Sequence, residues 1–184
     1  MSSERPMLIT ISGLPGSGKT TVARLVAQAL GLEHVYAGDI FRRQAEAHGL
    51  SLEAYLRQAE TDPSIDRELD AQMCRRARAG NAVLEGRLAG FMAARAGAPA
   101  LKVFLDASER VRAERIAARE GGATEERLRE FQAREASDRR RYRELYGVDY
   151  HDPALYDVVM CTDDRAPPSV AQAIVAEARR RFPA

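Results

Sequence analysis

The chain of 184 residues has no tryptophan, two cysteines and three histidines, and of its 28 basic residues all but Lys19 and Lys102 are arginine. Each shortage excludes something. Cys74 and Cys161 lie far apart with no C-x-x-C pair, which argues against a disulfide framework or a zinc site and fits a reducing cytoplasm. No stretch approaches the ~20 apolar residues of a membrane span, so the chain reads as cytoplasmic, with a short frayed tail before Met7. A formal net charge of +1 gives no general pull toward nucleic acid or anionic membrane, so any polyanion site must be local. The arginine bias suits phosphate handling and equally suits compositional drift; alone it decides nothing.

What is present is organised. Apolar β-type runs at Leu8 to Ile11, Ala82 to Leu84, Leu101 to Leu105 and Asp157 to Cys161, with a shorter one at Glu33 to Tyr36, alternate with helix-like segments. That alternation predicts an α/β domain around a mostly parallel sheet covered on both faces. Two stretches interrupt it. Asp39 to Gly80 reads as helical throughout, with Ile65, Leu69 and Met73 as an apolar stripe behind "DPS". Asp106 to Gly147 carries 11 arginines against 10 acids and is broken into two helices by "EGGAT". A charge-rich helical pair is most often a solvated face. "DDRAPPS" is the turn into a last helix.

One motif carries chemistry directly. Gly13-Leu14-Pro15-Gly16-Ser17-Gly18-Lys19-Thr20 matches G-x-x-x-x-G-K-[S/T], follows an apolar strand and enters a helical pattern that Gly31 closes. Glycines let the backbone curl its N–H groups around an anion, and the following helix adds the positive end of its dipole. Lys19 is then expected at the β- and γ-phosphates of ATP, with the Thr20 hydroxyl on Mg²⁺.

Such a loop serves kinases, GTPases, motors and nucleotide-gated scaffolds alike. No N-K-x-D guanine reader occurs, and the chain is short for a motor. A small-molecule kinase needs a second anion site and a mobile cationic cover that excludes water. Glu85-Gly86-Arg87 falls at a strand's carboxyl end, where doubly wound sheets place ligands. There Arg87 can fork onto an acceptor phosphate, Gly86 leaves room for it, and Glu85 can orient Mg²⁺ through water; the bland alternative is a strand-end pair without a ligand. Arg42 and Arg43 follow another strand end. Arg134, Asp138 and Arg141 share one helical face, and Arg115 and Arg119 offer a matching row. No dedicated base is needed for a phosphate acceptor, whose second pKa is about 6, although Asp39 or Glu85 can serve one.

"ITISGLPGSGKTTVARLVAQALGL", "VYAGDIFR", "LEGRLAG" and "RYRELYGVDYHDPALYDVVMCT", in this order and spacing, resemble the archaeal-type cytidylate kinases, short members of the nucleoside monophosphate kinase group. The resemblance implies a three-layer P-loop fold and Mg²⁺-dependent transfer from ATP to CMP or dCMP. It implies a core (about 7–38, 81–119 and 151–184), a helical monophosphate-binding insert (about 39–80) and a lid (about 120–150). The phosphate loop falls on Gly13 to Thr21, ending in Thr20 and Thr21. Arg42 and Arg87 fall in the monophosphate site and Arg134, Asp138 and Arg141 in the lid; Asp39, Gly86 and Asp66 are further substrate-site candidates read from the residues themselves. For the base, the amino group of cytosine suits a carboxylate, with Asp62, Asp66 and Asp70 as candidates and helix capping as the alternative for each. Tyr142, Tyr146 and Tyr150 either approach adenine or simply pack. Two rivals stay open: another small P-loop kinase acting on AMP, UMP or a non-nucleotide, and a nucleotide-gated RNA or ribosome-assembly factor using "DRRRYR".

Overall fold

The near-continuous apolar runs become strands, buried on both faces in the middle of the sheet and partly exposed in its two outer strands. In the computed structural model, which describes residues 6–183, these are β1 (Leu8–Gly13), β2 (Glu33–Tyr36), β3 (Ala82–Glu85), β4 (Leu101–Asp106) and β5 (Val158–Cys161). They pair in the order β2-β3-β1-β4-β5, all parallel. Apart from Pro6, the tail expected before Met7 lies outside the described residues.

Helices α1 (Lys19–Leu30) and α8 (Pro167–Arg181) cover one face. Val22, Val26, Val170 and Ile174 meet Ile9, Ile11, Val83 and Val103 there. On the other face α4 (Pro63–Ala79) and α5 (Ala89–Arg95) set Met73, Cys74 and Met92 against Leu8, Leu84 and Phe104. Each such aliphatic side chain stabilises the fold by roughly 1.5–3 kcal/mol when fully buried. The result is the expected three-layer α/β architecture.

The helical stretch expected from Asp39 is three helices: α2 (Ala37–Ala47), α3 (Leu52–Ala59) and α4. Ser51 and Asp62 cap α3 and α4 by accepting from Ala54 and Ser64 amides. Phe41, Ala45, Tyr55, Ala59 and Ile65 form a separate small core there, and Leu69 packs against both this core and that of the sheet. The charged stretch is a hairpin of α6 (Glu109–Glu120) and α7 (Thr124–Tyr146). Its own apolar cluster is only Ala113, Ile116 and Phe131, with Leu128 packed beside it.

Candidate active site

Parallel register brings Gly13, Tyr36, Glu85 and Leu105 to one edge of the sheet, because Ile11 and Tyr36 pair with Glu85 while Gly13 pairs with Leu105. Above that edge opens a cleft of about 510 Å³, lined by Pro15 to Val22, by Glu85, Gly86 and Arg87, and by side chains from the α2–α4 region and the hairpin. Gly13 roots the loop at φ 148°, where an added Cβ would stand 2.2 Å from the Leu105 carbonyl oxygen; no other residue fits.

Every carbonyl from Leu14 to Ser17 has a donor. Leu14 O accepts from the Ser17 amide at 3.2 Å and from Lys19 Nζ at 2.6 Å. Pro15 O accepts from Arg112 Nη1 at 3.2 Å, Gly16 O from Arg115 Nη1 at 3.4 Å, and Ser17 O from Thr162 Oγ1 at 3.1 Å. With its acceptors engaged, the loop has amide donors to spare, since the first amides of α1 have no intrahelical partner. That is a polarity for anions.

Lys19 sits in the cleft wall, and burial, then the positive charge of Arg87, push its ammonium down to about 7. An anion beside it would raise it again. Thr20 Oγ1 donates to Glu85 Oε1 at 2.6 Å, so the threonine's lone pairs are free for a cation. Glu85 is fully buried, and its other oxygen meets His34 Nε2 at 2.9 Å. Among the described residues no group of three acids, histidines or cysteines could hold a metal alone. The donors that are present fit a cation carried in on a polyphosphate.

Across the cleft lies a chain of charges. Arg87 Nε approaches Asp138 Oδ2 at 2.8 Å. The alignment is too poor for a hydrogen bond, so this is an ion pair held by charge. Asp138 Oδ1 accepts from Arg141 Nη2 at 3.0 Å, and Arg141 Nε donates to Asp66 Oδ2 at 2.9 Å. Asp66, Asp138 and Arg141 are all buried. One turn along α4, Asp70 accepts from the Tyr146 hydroxyl at 2.7 Å, and burial pushes its carboxyl up to about 7.

A model of the cytidylate kinase-like family matches residues 8–164. The chain belongs to that family. It is 48% identical over 164 residues to the cytidylate kinase of Pyrococcus horikoshii, covering 89% of this chain and 84% of that one. To the cytidylate kinase of Methanopyrus kandleri it is 50% identical over 163 residues, covering 85% and 84%. Its fold is that of shikimate kinase from Acinetobacter baumannii in complex with shikimate, with a TM-score of 0.62, 19% identity and coverage of 98% and 97%. The resemblance read in the sequence is borne out.

In this cytidylate kinase-like chain the expected residues divide into groups. Pro15 to Thr21, Asp66, Glu85, Gly86, Arg87, Asp138 and Arg141 line one cleft, with Arg115 and Arg119; Gly13 and Leu14 form the loop's buried root. Arg42 and Asp39 lie outside the lining, exposed and paired with each other, with the Arg42 guanidinium 5.4 Å from the Tyr36 ring centre. Arg134 is exposed and also outside the lining, yet the charge of Arg87 pushes its guanidinium below the ordinary value. Arg87 and Arg141, expected to be open to phosphate, are instead bound by carboxylates, because buried guanidinium groups require counter-charges. Asp62 is a helix cap. Tyr142 and Tyr150 pack edge to face at 5.7 Å, so the tyrosine stripe packs, with Tyr142 alone on the cleft wall. His34 and Arg112 went unseen in the sequence: their partners lie 51 and 97 positions away, and no local pattern signals them.

Proposed function

We propose that this protein is a CMP kinase that transfers the γ-phosphoryl group of ATP to CMP or dCMP, giving CDP or dCDP and ADP. One observation carries the reading: the phosphate loop, Lys19 and Arg87 line the same cleft, in a chain nearly half identical to cytidylate kinases. The loop amides and Lys19 bind the triphosphate. Arg87 and Arg141 exchange their carboxylate partners for phosphate oxygens, with Asp138 steering them, and hold acceptor and donor in line. Arg134 joins them from the exposed side, and Arg42 reaches the acceptor phosphate after leaving Asp39. Gly86 keeps the wall open beside Arg87, and Asp66 faces the acceptor.

Thr20, with Glu85 behind it, would hold Mg²⁺, which when bound neutralises charge on the β- and γ-phosphates. An acceptor phosphate needs no base, being largely dianionic near neutral pH. Residues 39–80 act as the acceptor insert and about 120–150 as the lid on a core of 7–38, 81–119 and 151–184. The free thiols and the lack of any membrane-crossing helix among the described residues support work in the cytoplasm on small-molecule substrates.

The test is coupled measurement of diphosphate formation with ATP and Mg²⁺ across CMP, dCMP, UMP and AMP. CMP and dCMP are expected to lead. Preference for AMP, or tight salt-sensitive RNA binding with negligible CMP turnover, would overturn the reading.

A further inference from the structure

Arg112 is 2% exposed, does not itself line the cleft and carries its guanidinium into the interior behind it. Its guanidinium has four neighbours. Nε donates to Ala107 O at 3.1 Å and Nη1 to Pro15 O at 3.2 Å. Nη1 also pairs with the Glu135 carboxylate of α7, and the group lies 4.3 Å from the Phe131 ring centre. Its backbone is pressed against the same loop: a Cβ on Gly16 would stand 2.7 Å from Arg112 O. Burying an ion pair is weak evidence for stability, because desolvation offsets the attraction. Here the pair instead joins two elements: the loop that cradles phosphate and the helix that carries Asp138 and Arg141.

We propose that Arg112 is a positioning residue for the phosphoryl donor, holding the Pro15 carbonyl so that the loop amides stay turned to the cleft, while Glu135 of α7 holds Arg112 in place. It touches no substrate. The inference rests on the reading of the loop as the triphosphate site, and concerns ATP whatever the acceptor. Because the brace is anchored on α7, donor affinity depends on a carboxylate that lies outside the loop and on another helix.

Removing the Glu135 charge leaves the Arg112 guanidinium free to turn from Pro15 O. Small misplacements of a binding element cost up to ~100-fold. Glu135→Gln is therefore expected to weaken binding of a fluorescent ATP analogue, titrated without acceptor, by about tenfold. KM for ATP should rise in step, and KM for CMP should stay within about twofold. Glu135→Asp, which keeps the charge, should recover most of the loss; Glu177→Gln, in a surface pair of α8, should change nothing. Thermal unfolding identifies any variant that fails to fold, in which case Arg112→Lys is read in its place, with the same weakening of ATP binding and the same unchanged KM for CMP expected. A folded Glu135→Gln or Arg112→Lys protein of lowered Tm with unchanged ATP affinity would mark the pair as structural and overturn the proposal. A wild-type protein that binds no ATP would instead overturn the reading of the loop.

Discussion

The α2–α4 region and the α6–α7 hairpin flank the same cleft and are held by different forces. The first has an apolar core of its own, centred on Phe41 and Tyr55 with ring centres 4.9 Å apart. The hairpin has little beyond Ala113, Ile116 and Phe131, and reaches its surroundings largely through Arg112, Arg115, Asp138 and Arg141, joined by Tyr142 in the sheet core. Apolar packing is indifferent to which ions are present. Ion pairs can be exchanged, carboxylate for phosphate, at modest net cost. On the proposed reading, regions of similar length thus serve opposite tasks, one keeping its shape and one trading partners.

Tyr55→Ala should break the comparison hardest. Tyr55 is 1% exposed, and its loss should cost about 3–5 kcal/mol in urea unfolding, with no relief from added phosphate. Asp138→Asn should cost less, about 2–3 kcal/mol once the open cleft is allowed for, because Arg87 and Arg141 are left facing each other. Inorganic phosphate should recover part of that loss by supplying the missing charge. Equal phosphate rescue of both variants would erase the distinction between the two regions.

A pH-dependent effect lies at the seam between them, where Asp70 of α4 meets Tyr146 of α7. Burial raises the Asp70 carboxyl from 3.8 to about 7, so between those values the folded protein keeps a proton that the unfolded chain has lost. Its contribution to stability is full below 3.8 and is lost as pH rises through about 7. Asp70→Asn should flatten that part of the stability–pH curve; an unchanged slope would show that Asp70 titrates normally.

Much of this was legible in the sequence, for identifiable reasons. Gly13 to Thr20 is a local motif whose backbone demands are written into residue type, and Asp138 and Arg141 share a helical face that spacing alone predicts. Asp62, Asp66 and Asp70 looked alike, and only packing separates a cap from a buried ion pair and from a raised carboxyl. Arg112 looked like one arginine among many on a charged helix. Its burial is decided by Pro15 and Glu135, and three-dimensional proximity leaves no periodic trace.

The acceptor-saturated backbone from Leu14 to Ser17 has a kinetic corollary. Those bonds belong to the folded chain itself, so the segment's conformational entropy is settled once, at folding, and not again in every encounter. On the reading of the cleft proposed above, nucleotide capture then proceeds without reordering the loop, at the rate of diffusion and orientation.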